Sequence, residues 1–208
     1  MNKLYLSNSK KLNFFSKFFK KKSSKSDKEN SYLPKKKALI EDRFILKFIE
    51  NGGKFLYSED IDEVQKNFDL ILEENEWTDV DILIINREIK SNYKLKTEFK
   101  SSLEEAKCFV TDCENLIAGD GSILISSNQI HEKKLDNFPE NFIIISDTRK
   151  LKNTISEGLS EIKSKSKNIP TNITTIKNFN NIEEDNNFLS YGTSSKNLYL
   201  ILLEKGFN

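Results

Sequence analysis

The sequence predicts an α/β fold, a mostly parallel sheet flanked by helices, and three observations carry that prediction. Strand-length runs that are apolar throughout recur along the chain, at Ile82–Ile85, Cys108–Thr111, Phe142–Ser146 and Leu198–Leu203, as strands buried on both faces require. Segments with apolar residues every three to four positions separate several of them, as helices crossing between parallel strands do. The chain has 208 residues, long enough for one domain that buries roughly two-thirds of its unfolded surface.

Residues 1–37 read as a basic amphipathic arm and linker, and residues 38–208 as the α/β domain. Within the arm, Leu12, Phe14, Phe15, Phe18 and Phe19 share one side of a helical wheel and Lys10, Lys17, Lys20 and Lys21 the other. This pattern in residues 12–22 suits peripheral contact with an anionic membrane surface, or docking of the phenylalanines on the protein's own body. The polar stretch 23–31 is a linker. Asp42 is then the expected N-cap of a helix carrying Phe44, Ile45, Phe48 and Ile49, which Gly52 and Gly53 end. Lys54–Ser58 is a strand candidate. Asp60 caps a longer helix with Ile61, Val64, Phe68, Ile71 and Leu72 on one face.

After the strands at Ile82–Ile85 and Cys108–Thr111, a polar break at Asp112–Asn115 leads into the strand Ser122–Ser126, and Phe142–Ser146 follows it. Leu151, Ile155, Leu159 and Ile162 predict a helix over Thr148–Lys167. Ile173–Ile176 is a weaker strand and Leu198–Leu203 a strong one. In a parallel sheet ligands bind beyond the carboxyl ends of the strands, so the break at Asp112–Asn115 and the polar stretch after Ile176 are the expected ligand-facing loops.

The net charge of +1 hides an asymmetry. The first 37 residues hold twelve Lys against Asp27 and Glu29, a net of +10, leaving 21 basic and 30 acidic side chains, a net of −9, in the remainder. An acidic body is a poor nucleic-acid binder, and no nucleic-acid partner is expected. Cys108 and Cys113 are spaced as neither a redox pair nor a zinc half-site, and His131 is the only histidine. No metal and no cofactor are therefore expected. Two cysteines and no secretory signal predict a reducing, cytoplasmic setting. The phosphate loop, dinucleotide fingerprint, nucleophile elbow and HExxH signatures are absent, which counts against nucleotide hydrolysis, hydride transfer and zinc hydrolysis.

The most informative local motif is Gly119-Asp120-Gly121-Ser122, opening a buried-type strand. Glycines there permit positive φ and bring backbone N–H groups close to a docked group. One reading makes it an anion cradle, Gly121 and Ser122 offering N–H groups to a carboxylate or phosphate and Asp120 acting as general base; the other makes it a tight turn that starts a strand. Gly192, Thr193, Ser194, Ser195 and Lys196 supply hydroxyls and a cation for a second wall, and Thr174 and Thr175 are candidates to line the same crevice. His131 and Trp77 read as a surface residue and a packing residue.

From Cys108 to Glu204 the order of features resembles the LUD domain family, which includes lactate-utilisation protein C and its YkgG-like relatives. Leu116-Ile117-Ala118 leads into the Gly121-Ser122 turn much as that family's IA-acid-T-G-[ST] turn opens a strand. Pro139 precedes Phe142–Ser146, and Asn197–Glu204 is similar to the family's closing strand, which ends in an acid. The resemblance implies the NagB/RpiA/CoA-transferase-like fold of sugar-phosphate isomerases and CoA transferases. It also implies a small-anion-binding component beside iron–sulfur partners that oxidise L-lactate to pyruvate.

The chain departs from the family pattern at three places. Gly119 stands where the acid belongs, with Asp120 one residue later. Thr171–Lys177 lacks the Arg and Asp of the family's loop, and Tyr191–Lys196 replaces its HGP turn. Loss of an Arg that clamps a carboxylate changes which anion binds and how tightly. Two other classes of function stand beside this reading. One is a non-catalytic scaffold tethered by the Phe/Lys arm to a membrane or partner. The other is a stand-alone isomerase or transferase using Glu114 or Asp120 as its buried carboxylate.

Overall fold

A computed structural model describes residues 39–165, 168–177 and 193–204, so the arm and its aromatic stripe at 12–22 lie outside the described residues. In chain order the elements are α1 (Ile40–Glu50), β1 (Lys54–Ser58), α2 (Ile61–Asn75), β2 (Ile82–Ile84), α3 (Glu88–Asn92), β3 (Cys108–Thr111), β4 (Asn115–Ile117) and β5 (Ser122–Ile125). They continue with α4 (Ser127–Ile130), β6 (Asn141–Asp147), β7 (Leu151–Lys152), α5 (Ile155–Lys165), β8 (Thr174–Lys177), β9 (Thr193–Ser195) and β10 (Asn197–Leu203).

Strands β1, β10, β6, β3 and β2 pair in that order, all parallel, into the predicted central sheet. Its two longest members, β6 and β10, pair from Asn141 opposite Asn197 to Asp147 opposite Leu203. Both faces are covered, which is why these strands are apolar without alternation. Cys108, Val110, Ile143, Ile145, Tyr199 and Ile201 pack with Val64, Phe68 and Ile71 of α2, and Trp77 meets Tyr199 edge-on. The alternate residues, among them Phe109, Phe142, Ile144, Leu200 and Leu202, are equally buried and point the other way. There the Phe109 ring lies 4.7 Å from Phe138 at a tilt and 5.2 Å from Phe142 edge-on, centroid to centroid. Truncating a residue such as Phe68 to Ala would cost about 3–5 kcal/mol.

Helix α2 starts as its sequence predicts, Asp60 accepting a hydrogen bond from the Glu63 N–H at 2.9 Å. Helix α1 does not. It begins at Ile40, Leu39 at the cap position makes no side-chain bond, and Asp42 lies inside the first turn beside Glu41, where acids favour the positive end of the helix dipole.

A second, mixed sheet was not anticipated. It runs β7-β4-β5-β8-β9. The segment after the Asp112 break folds as a hairpin: β4 and β5 pair antiparallel, Asn115 opposite Leu124, around the four-residue loop Ala118–Gly121. Ser122–Ile125 thus belongs to this sheet and not to the parallel one, and Ser126 leaves it to cap α4. The helix predicted over Thr148–Lys167 is also divided. Thr148–Lys150 forms a 3-10 turn capped by Asp147, Leu151 joins β7 opposite Leu116, and α5 starts only at Ile155, where Thr154 Oγ1 accepts from the Glu157 N–H. Helix α5 faces the hairpin with Gly158 and Ile162, leaving Ile155 and Leu159 exposed. A Cβ on Gly158 would lie 3.1 Å from Asn115 Oδ1, so the glycine permits that close approach.

Candidate functional site

The carboxyl ends of β3 and β6 lie side by side, Thr111 being in register with Ile144, and the chain leaves both through charged residues. After β6, Asp147 turns the backbone by accepting the Arg149 N–H at 2.9 Å. Its two oxygens also take the Arg149 guanidinium, Nε at 3.0 Å and Nη2 at 2.9 Å. After β3, Asp112 receives the Lys150 ammonium at 3.2 Å, and the same ammonium donates to the Cys113 carbonyl. Gln129 donates to the other Asp112 oxygen at 3.2 Å. Two ion pairs from two adjacent strand ends are thereby set next to one another.

They border a crevice of about 610 Å³, closed on its other sides by Ile61 at the start of α2, Leu203 at the end of β10, and α3 with Tyr93 and Lys94 beyond it. Asn86 holds the start of α3 by accepting the Glu88 N–H at 3.0 Å, and Lys94 stops it in a left-handed conformation, φ 50°. A second hollow of about 340 Å³ lies alongside, lined by Glu114, Asn115, Glu161 and Lys165, and it shares Asp147, Arg149 and Lys150 with the first.

The larger crevice carries Glu88, Asp112 and Asp147 against Lys94, Arg149 and Lys150, so it has no net charge and suits a ligand with both a charged and a neutral polar group. Burial works against the Lys150 charge, but its interactions with Cys113, Asp112 and Tyr93 outweigh that and raise its pKa. Burial likewise opposes ionisation of Asp147, and the hydrogen bonds and charge of Arg149 more than compensate, holding its carboxyl below the usual range. Lys150 and the Asp147–Arg149 pair are therefore charged at neutral pH.

The residues singled out from sequence lie elsewhere. The Gly121 N–H bonds the Ile117 carbonyl at 2.9 Å, closing the hairpin loop. The Ser122 N–H and hydroxyl both donate to Asp120 Oδ1, at 3.0 and 2.6 Å. The cradle amides are thus committed inside the turn, and α1 packs over it, Asn51 Nδ2 donating to the Asp120 carbonyl at 2.8 Å. Asp120 Oδ2 pairs with Lys177 at 2.9 Å. Burial raises its pKa, but bonds from Ser122 and Lys177 prevail and hold it below the normal value, which makes it a weak base. Glu114 is equally engaged, accepting from Ser126 Oγ at 2.6 Å and Asn128 at 2.8 Å.

Thr174 and Thr175 sit in β8, in register with Ile125 and Leu124. Ser194 and Ser195 occupy β9 opposite Ile176 and Lys177, while Gly192 lies outside the described residues. Lys177 at the end of β8 is in register with Ser195. Lys196, however, is only 5% exposed, donates to the Phe138 carbonyl at 3.1 Å and lies 5.5 Å over the Phe142 ring, so it faces the interior and not a ligand.

Of the expected ligand-facing loops, the break at Asp112–Asn115 does border both hollows. The sequence reading missed Tyr93, Asp147, Arg149 and Lys150. The available signal was an acid followed by Arg-Lys directly after a strand that is apolar throughout, which in a parallel sheet marks a ligand-facing end. Cys108 and Cys113 are both buried, and Cys113 donates to Ser146 Oγ at 3.3 Å. No group of His, Cys, Asp and Glu among the described residues is placed to hold a metal ion, and no helix among them is long and apolar enough to cross a membrane.

The family model described as LUD domain matches residues 7–203. Among solved structures, a DUF162 family protein from Deinococcus radiodurans superposes with a TM-score of 0.56 over 79% of this chain and 96% of its own, at 13% identity, which establishes a shared fold. No curated protein matches the chain.

Proposed function

Because the chain belongs to the LUD domain family, we propose that it is a small-anion-binding component that serves oxidation of L-lactate to pyruvate beside iron–sulfur partner proteins. The crevice at the carboxyl ends of β3 and β6 is its ligand site, in place of the Asp120–Ser122 turn. The observation that carries this reading is the position of Lys150 and Arg149, two cations at adjacent ends of a parallel sheet, bordering an open space of about 610 Å³.

A carboxylate entering this space competes with Asp112 for the Lys150 ammonium, and Asp112, when displaced from that ion pair, keeps the hydrogen bond from Gln129. A lactate-sized acid occupies only part of the volume, and the rest is open to a redox partner. Conversion of the hydroxyl carbon to a ketone releases two electrons and two protons. An iron–sulfur partner would supply the oxidant for those electrons and water would take up the protons, while this chain contributes binding and orientation.

Isothermal titration of the full chain with lactate, pyruvate, an acyl-CoA and a sugar phosphate tests the reading. Binding of a carboxylate or phosphorylated ligand that Lys150→Met weakens at least about tenfold supports it. Absence of heat with all four, or binding indifferent to Lys150, overturns it.

A further inference from the structure

Within this reading of the crevice, on which the inference rests, we propose that Tyr93 is a specificity-determining residue, its hydroxyl donating to the 2-oxygen of a short 2-hydroxy or 2-keto acid whose carboxylate Lys150 holds.

Tyr93 is held from behind. It follows α3, its N–H bonding the Ile89 carbonyl at 3.0 Å, and the Leu95 N–H returns to the Lys90 carbonyl at 2.9 Å. Ile89 and Leu95 on either side are 1% and 3% exposed, inserted in the same apolar cluster as Val64, Phe68 and Val110, and the Tyr93 ring packs against that cluster. A ring anchored in this way has little freedom to lose on binding.

Its front is different. The residue lines the crevice, and its hydroxyl makes no hydrogen bond to another described residue. Asp112, Asp147, Arg149 and Lys150 around the same space are all already paired with one another. A partly buried phenol normally finds a partner for its O–H, and the open position lies toward the ligand space. Burial raises the phenol pKa, so the group remains a neutral donor throughout the physiological range.

The ligand chemistry follows from these groups. The cation selects a carboxylate, and the phenol adds a donor to an oxygen acceptor close by, which a 2-hydroxy or 2-keto acid carries and a plain short-chain acid lacks. Sites that present a hydrogen-bonding group discriminate strongly against an analogue that leaves it unpaired.

The test compares lactate, pyruvate and propionate by titration into the full-length wild-type chain, Tyr93→Phe and Lys150→Met. The expected result is a roughly tenfold preference of the wild type for lactate and pyruvate over propionate. Tyr93→Phe abolishes this preference while retaining propionate affinity, and Lys150→Met weakens all three. If all three acids bind the wild type equally, or Tyr93→Phe keeps the preference, the role of Tyr93 is refuted while the crevice stands. If none binds, the carboxylate reading of the crevice fails with it. The wild-type comparison is independent of how well any variant folds.

Discussion

Gly121 and Phe48 meet backbone to backbone: a Cβ built on Gly121 would lie 2.6 Å from the Phe48 nitrogen and the same distance from the Lys47 carbonyl carbon. The glycine also holds φ at 73°. The hairpin loop is therefore a joint between α1 and the second sheet, not an open anion cradle. Gly121→Ala combines a left-handed alanine with a backbone clash, and about 2–4 kcal/mol of destabilisation is expected in urea unfolding. A loss below about 1 kcal/mol would restore the turn as an uncovered loop.

Asp112 and the ligand compete for one ammonium. Asp112→Asn removes the competitor, so a small carboxylate should bind the variant about two- to fivefold more tightly, the reverse of Lys150→Met. Titration of the two variants in parallel reads the opposite signs. Weakening in both would mean that Asp112 itself contacts the ligand.

Acid should weaken the fold through two carboxylates outside the crevice floor. Bonds from Lys107 and Thr78 hold Asp81 at about 2. For Glu161 burial acts upward, but Lys165, Asn115 and Lys152 prevail and hold it at about 2 as well. Each is depressed below its unfolded value, so its contribution is complete above about pH 4.5 and is lost as the pH falls toward 2, on the order of 1–2 kcal/mol for Asp81, whose side chain is only 12% exposed. The urea midpoint should fall between pH 5 and 3, and Asp81→Asn should flatten part of that slope. A midpoint unchanged over this range would refute the assignment.

Neither cysteine should be reactive in the native state. Burial pushes the Cys113 thiol up to about 12 and raises Cys108 further from its normal range. A thiol reagent at pH 8 should modify both only in denaturant. Rapid native labelling at Cys113 would show that the joint between the sheets opens readily.

The sequence by itself determined β2, β3, β6 and β10 to within a residue or two, because strands buried on both faces must be largely apolar without alternation. It determined α2 and its Asp60 cap, since helical periodicity and capping are local properties. Tertiary structure decided the rest. Asn115–Ile117 is too short to announce itself, and it becomes a strand only because Leu124 and Leu151 come to lie on either side of it. Leu151 fits a helical repeat equally well and is taken instead by a sheet edge. Of the candidate site only the loop at Asp112 was legible in the sequence, for the same reason. Asp112, Lys150 and Tyr93 belong to separate loops, and only the pairing of β3 beside β6, with α3 folded across their ends, puts an acid, a cation and a phenol around one space.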